Sequence, residues 1–317
     1  MAVSTTSTIS APIIKTLCTT MLSLEYPDLI HNMGALKESL PKGGGYSMLF
    51  RRPNKLNPAL VPLGNKGANP PSSNVTVVDI EARPDFYGSY TEINEQLVIQ
   101  NQDKVLNYHT ELLSLQLRET EDVLSREMMA SSAALINCVG GGNGDLPTEL
   151  TLSDASQVTT TLLGASAKRM LDGYEGQNRF GTSPVKNSYL ALASTDLSAD
   201  LEQTPGFKHV SEYPSQNNIP TAEWGQLSGL RIMLSPLGKM TTAASNLGND
   251  VYDIFCMGME AMGIVNQDGL HAQLLYTGPE IAGGPLHQNA TLAWKTSFVS
   301  LILHENWIVR LRCTRRP

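Results

Sequence analysis

The sequence predicts an α+β chain dominated by one long helix and one extended hairpin, and three observations predict it. Residues 101–138 contain neither Gly nor Pro and carry a leucine and methionine stripe. Two strand-like runs, Tyr46 to Arg52 and Val75 to Arg83, flank a stretch too rich in proline to pair regularly. Beyond Leu150, short strand-like and helix-like runs are separated by Gly and Pro turns, without the regular βαβ alternation of a parallel-sheet protein.

The elements follow in order. The opening 14 residues are uncharged and rich in Ser and Thr, and read either as a floppy terminus or as an arm lying on a partner. Lys15 to Ser39 has a loosely helical pattern around Leu17, Met21, Leu22 and Leu24, and Pro41-Lys42-Gly43-Gly44-Gly45 breaks it. In the first strand, Tyr46, Met48 and Phe50 alternate with Ser47, Leu49 and Arg51. The connection to the second strand holds Pro53, Pro58, Pro62, Pro70 and Pro71, which makes it stiff. A two-stranded hairpin is marginal alone in water, so this one needs a surface to lie on.

The long helix is expected to run from Asn101 towards Cys138. Leu106, Leu113, Leu117, Leu124, Met128 and Leu135 keep one face, and Arg118/Asp122 and Asp122/Arg126 read as surface pairs. Such a helix would be about 50 Å long, the length of a structural spine. Val139-Gly140-Gly141-Gly142-Asn143-Gly144 is expected to end it. Ser153 is the expected cap of a helix through Val158, Leu162 and Ala165. Tyr189 to Ala193, Leu230 to Leu234 and Val251 to Cys256 read as strands, and a short helix begins at Thr195-Asp196. Two closing strands follow, Trp294 to Leu303 and Trp307 to Cys313. In the second, Trp307, Val309, Leu311 and Cys313 face opposite to Arg310 and Arg312.

Composition narrows the function classes. The chain has 317 residues, enough for about two domains, and is 41% hydrophobic, so a sizeable core is available. Charged residues make up 17%, and 30 acids against 23 bases leave a net charge of −7, which argues against a nucleic-acid binder held by bulk positive charge. The sequence has no apolar run long enough for a transmembrane helix, and its N-terminus does not read as a secretory signal. Accordingly, the sequons at Asn74 and Asn289 read as chance, and the widely spaced Cys18, Cys138, Cys256 and Cys313 as passive thiols.

No phosphate loop, nucleophile elbow or zinc helix motif occurs, and the six histidines have no partner spacing. The glycine cluster at 140–144 is expected to follow a helix, the wrong context for a dinucleotide loop. Glu119, Glu121 and Asp122 read as a solvated helical face rather than an acid pair, and Trp224, Trp294 and Trp307 as core anchors. The tail Arg310, Arg312, Arg315 and Arg316 is locally basic, fit to touch phosphate or an acidic neighbour, or to remain a solvated end. No catalytic residue, metal site or cofactor is assigned. An arm, a stiff hairpin and a spine without catalytic spacing are the features of an assembly subunit.

Several segments in order carry a resemblance: PKGGGYSMLFRRPNKLNPALVPLGNKG, VTVVDIEARPDFYGSYTEINEQL, LALASTDLSADLEQTPGFKHVSEY and ATLAWKTSFVSLILHENWIVRLRC. Their order resembles the major capsid proteins of tailed bacteriophages with the HK97-like fold, most closely the N4-like capsid family. The resemblance implies an N-terminal arm (1–45), an extended hairpin or E-loop (46–84), a peripheral domain with the spine helix (85–150), an axial domain (151–265) and returning peripheral strands (266–317). It implies hexamers and pentamers of the chain itself closing into an icosahedral shell around packaged double-stranded DNA. Assembly would occur in the host cytoplasm, with a portal and possible decoration or scaffolding proteins as partners and no membrane. The expected contacts between subunits are Arg51, Arg52, Leu56, Leu60, Val61 and Leu63 on the hairpin, with the arginines clamping Glu119, Glu121 and Asp122 of a neighbour's spine helix. A tail component or a bacterial encapsulating compartment is the alternative, and an enzyme whose site forms only on folding is a third reading.

Overall fold

The computed structural model describes residues 26–60, 72–94, 105–132, 134–170, 188–213, 219–220, 222–242, 245, 248–270, 272–278 and 288–316. The helical pattern around Leu17 to Leu24, Cys18, and the loop residues Val61 and Leu63 lie outside these.

Two sheets share one helix. The first contains β1 (Leu36–Leu40), β12 (Met262–Gln267), β14 (Asn289–Ile302), β13 (Gln273–Thr277) and β4 (Asp85–Asn94). The long β14 is its centre, pairing with β12 and β13 along one side and with β4 along the other. The second sheet has the order β5 (Leu135–Asn137), β15 (Ile308–Thr314), β11 (Val251–Met257), β6 (Tyr189–Ser194), β9 (Leu230–Ser235), β8 (Glu223–Leu227) and β7 (Lys208–His209), with β10 (Met240–Thr241) also on β11. The hairpin, β2 (Met48–Pro53) with β3 (Val77–Ala82), is a separate antiparallel pair.

Helix α1 (Val105–Ala130) spans about 39 Å and bridges the two sheets. Leu113 and Leu117 pack against Ile93, Leu292 and Trp294 of the first sheet. Near its other end, Met129 packs with Met233, Phe255 and Met257 of the second. Burying each such side chain contributes roughly 1.5–3 kcal/mol. Helix α2 (Leu152–Gly164) covers the opposite face of the second sheet through Val158 and Leu162, beside Ile232, Ile254 and Leu311. With both faces covered, every residue of β6 and β11 is buried, which explains runs that are apolar apart from Ser194 and Asp253. Helix α3 (Ser198–Gln203) follows a 3-10 turn at Thr195–Leu197, where the short helix was expected.

Three expectations are corrected. First, the spine helix ends at Ala130, and Leu135 lies in strand β5, parallel to β15. The Arg310 guanidinium donates to the Ala130 carbonyl at 2.9 Å and its backbone N–H to the Ala134 carbonyl at 2.8 Å, so the returning strand stops the helix where the local sequence has no breaker. Second, the expected helix up to Ser39 gives way to β1, parallel to β12. Third, the cap of α2 is Thr151, whose hydroxyl and backbone form a capping box with Asp154. Strand β15 lies between β5 and β11 in the second sheet.

Candidate functional site

The hairpin leaves the body on a small apolar base. Met48, Phe50 and Ile80 pack on Leu40, Val265, Leu301 and Leu303, while Leu49, Arg51 and Pro53 face outward. This is the alternation read from the sequence for Met48 to Arg51, whereas Tyr46, read onto the Met48 face, is exposed and precedes the strand. The outward side of the strand and the loop beyond it carry exposed apolar side chains: Leu49 is 53% exposed, Leu56 48%, Leu60 86% and Val75 62%.

The two hairpin arginines divide by face. Arg51 points outward and makes a bidentate pair with Asp79 on the facing strand, at 2.9 and 3.2 Å. Arg52 points to the body, where its Nη1 donates to the Leu303 carbonyl at 3.3 Å and to Nδ1 of His304. Each therefore has a partner within its own chain.

The acids of α1 divide as well. Asp122 is fully buried, which corrects the solvated face expected there. Its Oδ1 accepts the His31 backbone N–H at 2.9 Å and its Oδ2 lies 2.6 Å from His31 Nδ1. The expected Arg118/Asp122 and Asp122/Arg126 pairs do not form, since Arg126 bonds Glu127 and the Leu237 carbonyl instead. Glu121 accepts from the Thr296 hydroxyl on β14 at 3.0 Å, and Glu119 remains half-buried. A heptad stripe drifts by about 20° per heptad on a straight helix, so the buried face moves on to Asp122, Ser125 and Met129.

A second open surface is the face of the first sheet turned away from α1. Phe86 is 67% exposed and Tyr90 64%. Tyr90 stands opposite Ala293, which stands opposite Leu275, so the three share one row across β4, β14 and β13. Gly88 interrupts the aromatic column because a Cβ there would lie 2.8 Å from the Trp294 carbonyl. Sequence reading missed this surface; the alternation of Phe86 and Tyr90 with the inward Tyr87 and Ile93 is its only local trace.

The glycine loop follows strand β5, not a helix, but its amides are already used. Asp154 Oδ1 accepts from the backbone of Val139 at 3.2 Å and Gly141 at 2.7 Å. Gly140 and Gly141, at φ +86° and +107°, supply the turn that aims them. An internal carboxylate thus stands where a phosphate would be held. The basic tail is also turned inward: Arg310 and Arg312 both clasp the buried Asp253, and the Arg316 amide donates to Asp200 at 3.0 Å. Trp294 is buried as an anchor, its indole N–H donating to Gln116 at 2.9 Å. Among the described residues no cluster of His, Cys, Asp or Glu could hold a metal ion, and no helix is long and apolar enough to cross a membrane.

Cys138, Cys256 and Cys313 are free and buried. Contact with the Cys313 thiol, followed by burial, pushes the Cys138 thiol far up, and burial raises Cys256 to about 12. With Cys256 at about 12, the thiolate fraction near pH 8 is roughly one in ten thousand. Being buried, all three thiols should ignore a disulfide reagent in the native chain and react once it is unfolded. Rapid native-state labelling at any of them, located by peptide mass spectrometry, would contradict this burial.

No protein-family model matches the chain, and no curated protein sequence matches it. Solved structures do. The capsid of Ralstonia phage GP4 superposes with a TM-score of 0.71 at 10% identity, over 96% of this chain and 96% of that one. The capsid of cyanophage P-SCSP1u gives 0.68 at 12% identity, over 96% and 94%. The capsid of cyanophage Pam1 gives 0.64 at 13% identity, over 96% and 97%. At these identities the likeness is one of fold, and it extends across nearly the whole chain: the mixed α+β architecture described above is that of phage capsid proteins.

Proposed function

We propose that this chain is a major capsid protein of a tailed bacteriophage, of the HK97-like and most nearly the N4-like kind, whose copies assemble by laying each hairpin across a neighbour. The observation that carries the proposal is the hairpin itself, which exposes Leu49, Leu56, Leu60 and Val75 in a fold shared with phage capsid subunits. A solitary hairpin gains stability only when its open face and edges are covered. The exposed row of Tyr90 and Leu275 supplies an apolar surface elsewhere on the same chain. Contacts between unlike patches are heterologous, and a rotation that closes them makes rings.

In this reading β2 and β3 are the E-loop, the first sheet with α1 is the peripheral domain, and the second sheet with α2 is the axial domain. Leu56, Leu60, Val61 and Leu63 meet the neighbour, and the outward Arg51–Asp79 pair borders that contact. Residues 26–40 pack on their own subunit through Ile30, His31 and strand β1. The rings close into an icosahedral shell assembled in the host cytoplasm, with a portal at one vertex and double-stranded DNA inside. The net charge of −7 limits adhesion of the wall to that DNA. The role is structural and involves no turnover.

Negative-stain imaging of the purified chain tests this. Icosahedral particles of megadalton mass are expected. A monomer or dimer whose melting shifts with a small ligand would reject the reading in favour of an enzyme, and cargo-filled shells without a portal would point to an encapsulating compartment.

A further inference from the structure

The base of the hairpin holds a group of side chains that the assembly reading does not use. Arg52 Nη1 lies 2.5 Å from His304 Nδ1. A guanidinium has only donors, so Nδ1 must be the acceptor, and His304 is then neutral with its proton on Nε2. The imidazole stacks on the Trp307 indole, centroids 4.0 Å apart and planes 10° from parallel. Beside this contact a cleft of about 380 Å³ separates hairpin from body, lined by Arg52, Val78, Ile80, Ile302, Leu303, Glu305 and Asn306. The hairpin therefore has room to swing at the point where Arg52 ties it.

From this geometry we infer that His304 is a pH-operated latch: neutral, it holds Arg52 and fixes the hairpin's angle to the body; protonated, it expels Arg52 and frees the hairpin to pivot. Protonation at Nδ1 places an N–H⁺ against the guanidinium, and the hydrogen bond becomes a repulsion. The Trp307 face holds an imidazolium at least as well as an imidazole, so Arg52 is the group that leaves. The Leu303 carbonyl, at 3.3 Å, is a weaker polar tether, and the apolar contacts of Met48, Phe50 and Ile80 with Leu301 and Leu303 remain as the pivot.

The other charges around the ring set the operating range. Glu260, on the turn between β11 and β12, favours the protonated form, but its carboxylate is shared with Lys168 at 3.0 and 3.1 Å. Glu305 is the next residue in the chain and lines the cleft, where it can receive the displaced Arg52. Burial, and then the Arg52 charge, hold His304 below its ordinary value. A depressed histidine contributes stability that is present above the unfolded pKa and lost as pH falls through the folded one. The latch is thus closed at neutral pH and opens below about 6.5.

The latch is intramolecular, so its test needs no shell and stands apart from the capsid reading. Spin labels at Lys55→Cys on the hairpin and Lys37→Cys on β1, in a Cys18→Ser background, report the hairpin's angle as a distance distribution. Between about pH 8 and pH 4.5 the native distribution should broaden, with a midpoint below about 6.5. His304→Gln, which keeps a neutral acceptor, should stay narrow across the range, and Arg52→Met should be broad already at about pH 8. Far-UV circular dichroism at each pH confirms that both variants are folded. A native distribution that stays narrow down to about pH 4.5, or a His304→Gln variant that broadens with the native midpoint, would overturn the latch.

Discussion

A subunit lacking Asn54 to Ser72 should fold normally and form no shells. The deletion removes Leu56 and Leu60, which are exposed in the subunit and contribute nothing to its core. It spares the base, where Met48, Phe50 and Ile80 pack on Leu301 and Leu303. The register pairs Pro53 with Val77, so Ser73 to Thr76 remain as a four-residue connection, a length that closes hairpins readily. The side-chain bond from Asn54 to Thr76 is lost, at a cost of about 0.5–1.5 kcal/mol. Assembly loses much more, because each subunit forfeits its grip on a neighbour and a shell multiplies that loss over every contact. Thermal melts followed by circular dichroism, together with sedimentation velocity, separate the two effects. Normal particles from the deleted chain would show that the loop is not the handhold.

The largest change in subunit stability should come from Glu223→Ala. Arg231 on β9 reaches Glu223 on β8 through two bonds of 2.8 and 2.6 Å, and the Tyr213 hydroxyl donates to the same carboxylate at 3.0 Å. The side chains are 4% and 0% exposed. Removing the carboxylate takes away the anion that pairs this buried guanidinium, and breaking such a pair from one side costs about 3–5 kcal/mol. At roughly 2 °C per kcal/mol for a chain of this size, the melting temperature should fall by about 6–10 °C. Tyr213→Phe should cost about 1 kcal/mol. The double variant Glu223→Leu with Arg231→Met should recover most of the loss, because an apolar pair of similar volume carries no desolvation penalty. A single variant that melts like the native chain would mean that Arg231 finds another partner or reaches solvent.

Several elements were legible because a local period reports them. The hairpin's alternation, the buried runs of β9 and β11, and the two faces of β15 all follow from side chains projecting to opposite sides of a strand. The helical stripe located Leu113 and Leu117 for the same kind of reason. By contrast, the end of α1 was not legible. Ser131 and Ser132 are mild helix residues, and the stop is imposed by Arg310 from a strand at the far end of the chain. The strand nature of Leu36–Leu40 was hidden likewise, since its pattern is short and its partner β12 lies more than two hundred residues away.

By itself the sequence determined the class of fold, the presence of a projecting hairpin and a spine, and the lack of any spaced catalytic motif. Each of these is carried by neighbours along the chain or by composition. Tertiary structure alone decided where the charges go. Asp122 finds His31 across 91 positions and Arg52 finds His304 across 252, while Asp154 closes the glycine loop that might have cradled a phosphate. Periodicity states which face of an element a residue occupies; it carries no information about what the folded chain brings to that face. A buried charge must be paired, but its partner is chosen by topology, and so the acidic patch, the basic tail and the latch at the hairpin's base could be read only from the assembled fold.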